Sequence, residues 1–256
     1  MKLLTEKKLI ELADTPTIKI IDLWKSLTRE KFGELIEILV GDRHEVLQLK
    51  DFKGELNTAT CTIIKGQVKL GVLLDSFTNL DLLVVTHEIG HWVLKLKGFQ
   101  GLNNSSVSFN DIKGLLNSLA HHPPLYELQK SIGHNPQNEI DSRTNHNCTV
   151  FSNDKELNNA KAQIQMSLIL ADDIMNCSKE LVIKLRTVLA KNHPKTLEFV
   201  DQILDTASYY NLLEPAKNLK FLRRVCRNLK LGKNWNVPDE IYNLAKMLEE
   251  GKQQIK

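Results

Sequence analysis

The sequence predicts an α+β chain: a small, antiparallel-rich sheet with an adjoining helix, followed by an all-helical C-terminal part. Three observations predict it. Short runs suited to strands crowd between Glu45 and Leu74. Helical periodicity dominates beyond residue 159. Between these regions, residues 134–158 are rich in Asn, Asp and Ser, with scattered apolar positions, and mark a boundary. The expected organisation is a first domain over residues 1–133, a polar loop or linker over 134–158 and a helical domain over 159–256.

Taken in order, residues 2–13 read as a short helix and 18–40 as a longer amphipathic one ending at Gly41. Val46-Leu47-Gln48-Leu49, Thr58 to Ile64 and Val68 to Leu74 read as strands, with Lys65-Gly66-Gln67 as a hairpin turn. Residues 79–97 form the next helix, with Thr78 or Asn79 as cap, Asp81 in the first turn and Gly98 as the stop. A helix over 111–122 is expected to end at Pro123-Pro124, followed by a short one over 125–132 that ends at Gly133. Five helices complete the chain, over 159–177, 179–191, 194–211, 215–231 and 238–250.

Composition excludes several classes. With 256 residues, 42% hydrophobic and 25% charged, the chain can bury a real core. A net charge of +3 does not by itself imply a polyanionic partner. Cys61, Cys148, Cys177 and Cys226 are scattered without a C-x-x-C pair, as reduced thiols of a cytoplasmic protein would be. Charge interrupts the N-terminal apolar run at once, so no signal-peptide core is expected. The most apolar stretch, Leu80 to Leu96, carries Asp81, His87, Glu88, His91 and Lys95, which argues against a membrane span.

The chemistry lies in that stretch, in His87-Glu88-Ile89-Gly90-His91. Residues four apart on a helix differ by about 40° around its axis, so both imidazoles leave one face and can share a tetrahedral zinc. Glu88 lies about 100° round the axis, placed to reach a water on the metal. The neighbours Leu83, Val84, Val85, Ile89 and Val93 are apolar, and burying two histidines and a glutamate among them without a task would be costly.

This segment resembles the zincin metallopeptidases, in which an H-E-x-x-H helix packs beside a twisted sheet. The resemblance covers about residues 45–98, and at most reaches 133. It implies a zincin-like fold, zinc as cofactor, His87 and His91 as ligands, Glu88 as general base and a peptide or protein substrate. The chain departs from the metzincin pattern, since Leu94 replaces its glycine and Lys97 its final histidine. Cys61 in Thr-Ala-Thr-Cys-Thr does not match the cysteine segment of peptide deformylases, and no aminopeptidase-type G-x-M-E-N segment occurs.

A catalytic zinc site needs a third protein ligand. In gluzincins and in bacterial stress- and phage-regulatory peptidases, an acidic one comes from a downstream helix. Here His122 continues the apolar face of Leu115 and Leu119 and is the first candidate. Glu127 is the acidic alternative, with Glu139 and Asp141 further off. His121, about 100° round the axis, reads as a supporting or solvent-facing residue.

Other features read more plainly. His134, His146 and Cys148 match no compact zinc spacing and are expected in a solvated loop; Asp172-Asp173 is expected on a solvated face. Over 217–231, Lys217, Lys220, Arg223, Arg224, Arg227 and Lys230 share one side of an amphipathic helix, opposite Phe221, Leu222 and Val225. That helix is either the outer face of a bundle or a docking surface for nucleic acid or an acidic protein, and no aromatic residue interleaves on its basic face. The leading expectation is a zinc metalloendopeptidase. The alternative is an inactive zincin-like metal-binding module whose helical part docks a partner.

Overall fold

The computed structural model describes residues 3–42, 59–64, 66–74, 80–106 and 110–254. Among them are ten helices, a four-stranded sheet and a two-stranded one, an α+β architecture. No helix among the described residues is long and apolar enough to cross a membrane. The chain divides into two compact units. Residues 1–97, 128–134 and 239–256 form the first; residues 98–127 and 135–238 form the second.

The first unit holds β1 (Leu3–Thr5), α1 (Glu6–Leu12), α2 (Thr15–Phe32), β2 (Glu37–Asp42), β3 (Ala59–Ile64), β4 (Gln67–Leu74) and α3 (Leu82–Leu96). Its sheet runs β1-β2-β4-β3, with β2 parallel to β4 and the other pairs antiparallel. The helix expected over 18–40 is therefore a helix and a strand. Gly33 takes a left-handed conformation at φ 74° and stops α2. Beyond it Ile36, Ile38 and Val40 alternate into the core, a period-two pattern that only a strand can bury. The N-terminal segment also begins as a strand before becoming helical. The expected strand over 46–49 lies outside the described residues.

Helix α3 begins later than expected. Asp81 is itself the N-cap and accepts from the N–H groups of Leu83 and Val84 at 3.0 and 3.3 Å, while Thr78 and Asn79 lie outside the described residues. Val85, Ile89 and Val93 are fully buried and no residue of the helix is exposed, and this extensive burial overrides the weak helix propensity of a valine-rich start. Gly98, at φ 94°, follows the helix as the sequence suggests.

The second unit takes most of α4 (Asn110–Ile132), then α5 (Gln137–Asn153), α6 (Ala160–Asn176), α7 (Lys179–Asn192), α8 (Pro194–Ser208) and α9 (Pro215–Asn228). Strands β5 (Asn103–Asn104) and β6 (Trp235–Asn236) pair antiparallel. The last turn of α4 belongs to the first unit, as does α10 (Glu240–Gln254). A core including Leu116, Leu119, Leu168, Leu185, Val200, Phe221 and Leu222 fills the second unit.

Two expectations fail here for physical reasons. The stretch 134–158 is not a loop: Ile140, Thr144, Cys148 and Phe151 form a buried stripe at helical spacing along α5. Cys148 is buried on that helix rather than solvated. Nor do Pro123 and Pro124 stop α4, which runs through both. A proline at 124 removes the N–H that would bond the carbonyl of Ala120. The side-chain amide of Asn218 replaces it, donating to that carbonyl at 2.6 Å and to the carbonyl of Leu212 at 2.9 Å.

Asn218→Leu should therefore destabilise the protein by about 1–3 kcal/mol for each carbonyl left unpaired. Pro124→Ala restores a backbone donor and should recover part of that loss. A double-mutant cycle by urea denaturation checks this, and strictly additive effects would break the proposed link.

Candidate metal centre

Helix α3 is held firmly within its unit. Thr86 Oγ1 lies 3.1 Å from Thr17 Oγ1 of α2, both residues buried. The indole of Trp92 meets Trp24 edge-on, with centroids 6.3 Å apart, and donates to the carbonyl of Ala59 on β3 at 2.7 Å. Lys95 sits over the Trp92 ring and pairs with Glu240 of α10 at 2.9 Å.

On this fixed helix His87 and His91 are half-buried, with their Nε2 atoms 3.2 Å apart and their rings nearly perpendicular. Two nitrogens about 2.0–2.1 Å from one tetrahedral metal lie roughly 3.3–3.4 Å apart, so the pair has close to the required separation. Glu88 is buried at 9% exposure. Burial pushes its carboxyl up to about 7, while a backbone hydrogen bond at Ala59 and the charge of Lys95 pull it down. A bound cation nearby would lower it further.

His122 is held by polar partners in the second unit. Its Nδ1 lies 2.7 Å from Asp172 Oδ2, and its ring lies against that of Tyr126 with centroids 5.2 Å apart. Asp172 also accepts from Arg143 at 3.1 Å and from Asn176 at 2.9 Å. Arg143 and Asn147 donate to Asp173 at 2.7 and 2.6 Å. Burial raises the Asp173 carboxyl, and Arg143 opposes that shift. Donation from Nδ1 to a carboxylate fixes the imidazole tautomer and leaves the Nε2 lone pair for coordination.

His87, His91 and His122 form a possible metal-binding triad. The remaining candidates have other surroundings. Glu127 and Glu139 are exposed. Asp141 accepts from the N–H of Ser178 at 2.8 Å and from Gln137 at 2.9 Å, a structural role. His121 is buried, not solvent-facing. His134 contacts Asp14 at 3.0 Å, and His146 is exposed. Cys61 stays a thiol, because burial raises its pKa.

Sequence reasoning misses Asp172 and Asp173, which are buried rather than solvated. The signal that could have found them is their place in Leu168-Ile169-Leu170-Ala171-Asp172-Asp173-Ile174, since acids inside such an apolar run need partners.

Asp172→Asn should weaken metal binding about 10- to 100-fold, the usual cost of losing a carboxylate behind a histidine ligand. His122→Ala should weaken it more, and Glu127→Ala should leave it unchanged. Competition with a chelating indicator measures all three; a dominant loss in Glu127→Ala would reject His122. No family model, curated protein or solved structure matches the chain.

Proposed function

We propose that the chain is a zinc-dependent metallopeptidase, with His87, His91 and His122 as ligands and Glu88 as general base. The observation that carries the reading is the 3.2 Å separation of the His87 and His91 nitrogens at helical spacing. Nitrogen donors suit zinc. Among the described residues no fourth His, Cys, Asp or Glu joins the group. Three protein donors with a position left for water is the catalytic pattern, whereas four donors is the structural one.

Bound zinc would supply Lewis acidity, lowering the pKa of a coordinated water and polarising a carbonyl. Glu88 takes the proton from the attacking water and delivers it to the leaving amine. The Asp172 carboxylate keeps His122 in one tautomer through this exchange. The resemblance of the motif to zincins supports a peptide bond as the target.

Purified protein is expected to hold about one zinc per chain, and His87→Ala with His91→Ala should lose it. Glu88→Gln preserves shape and removes the base. Its zinc content should match wild type while peptide hydrolysis falls by about two orders of magnitude or more. Elemental analysis and a quenched-peptide assay provide the two readouts. Full zinc occupancy in the double variant would sink the site, and undiminished hydrolysis by Glu88→Gln would remove the base.

A further inference from the structure

Helix α9 lines an open groove of about 670 Å³ within the second unit. Lys220, Arg223, Arg227 and Lys233 line it, with Tyr210 and Trp235, and among the described residues none that lines it is acidic. The four cations are exposed, and none forms an ion pair with a carboxylate among the described residues. Lys217, by contrast, pairs with Glu214 at 3.1 Å. Four uncompensated cations in one groove form a strongly positive site for an anion.

Two aromatic rings change what the basic helix presents. They are absent from its own cationic face; the turn after α8 and strand β6 bring them to it. Both are fixed in place. The Trp235 indole donates to the carbonyl of Leu231 at 3.0 Å, and the Tyr210 ring packs on Phe221 with centroids 6.4 Å apart. A second cavity of about 360 Å³ has Tyr210 in common with the first and is lined also by Arg224 and the exposed Tyr209, with Asp205 as its one acid among the described residues. Cations and rings thus line both cavities.

We propose that this groove binds a single strand of nucleic acid. Arg223, Arg227, Lys220 and Lys233 hold successive phosphates, and unpaired bases stack on Trp235 and Tyr210. Charge alone would serve an acidic peptide equally well; the rings favour bases, each of which presents a π-face. Bases paired inside a duplex cannot reach side rings, so a single strand is favoured. The groove shares no residue with the candidate metal centre.

The test uses the full chain and labelled oligothymidylate and oligouridylate of about 15 nucleotides, followed by fluorescence anisotropy across a salt series. Both strands, or one of them, should bind in a salt-dependent manner. A duplex of equal length should bind more weakly. Trp24 and Trp92 are buried at 0% and 8% exposure, so quenching of tryptophan emission on binding reports stacking on Trp235. Arg223→Glu with Arg227→Glu should weaken binding at least tenfold and reduce the salt slope by about 0.7 for each phosphate no longer neutralised. Circular dichroism checks that this variant folds; if it does not, Lys220→Gln with Lys233→Gln replaces it and should still weaken binding several-fold. Absence of salt-dependent binding to either strand would overturn the proposal. So would equal affinity for the duplex, equal affinity for polyglutamate, or wild-type binding by the folded variants.

Discussion

One side-chain amide keeps α4 continuous. Two adjacent prolines would ordinarily end a helix, and the cost of an interior proline is about 3 kcal/mol or more. Asn218, fully buried, offsets part of that cost by donating to the carbonyl that Pro124 leaves without its helical partner. His122 stands directly before the proline pair, so its direction depends on the helix not breaking there. The same asparagine ties α9 to α4 and to the carbonyl of Leu212. The placement of a candidate ligand and the seating of the basic helix thus share a support.

Polar groups elsewhere in the interior follow the same rule. A buried charge is tolerated when opposite charge and hydrogen bonds surround it. Asp172 and Asp173 meet it through Arg143, Asn147, Asn176 and His122. Glu6 meets it near the sheet, accepting from Lys25 at 2.6 Å and from the N–H of Ile38 at 3.0 Å. Glu88 is different. Burial raises its carboxyl, and a backbone hydrogen bond at Ala59 and the charge of Lys95 only partly oppose that.

The sequence makes some of this legible and conceals the rest. The shared face of His87 and His91 can be read because a four-residue spacing fixes direction on any helix, whatever the helix packs against. His122 can be read from the apolar face it extends. Local signals mislead where distant residues decide the outcome. The proline pair looks like a stop because Asn218, nearly a hundred residues away, is invisible to a local reading. Helix α5 looks like a loop because its buried face is carried by only a few residues, one of them a threonine. Gly33 and Gly41 look alike as helix ends, and only the alternation of Ile36, Ile38 and Val40 between them separates the two. The aromatic partners of the basic helix lie on other elements, and no single periodic window could reveal them.

The first unit is assembled from three separate stretches of chain and the second from two. Neither can be excised with a single cut. A fragment ending near residue 133 would lack α10, and with it Glu240 opposite Lys95 and Gly251, whose Cα position packs tightly enough on Gly66 that an added Cβ would meet its carbonyl oxygen at 2.6 Å. Removing the C-terminal helix therefore erodes the part of the molecule that carries the H-E-x-x-H motif, although the two are more than a hundred residues apart in sequence. N-terminal and C-terminal stretches of the chain thus belong to one compact unit, and the residues of the second unit lie between them in sequence.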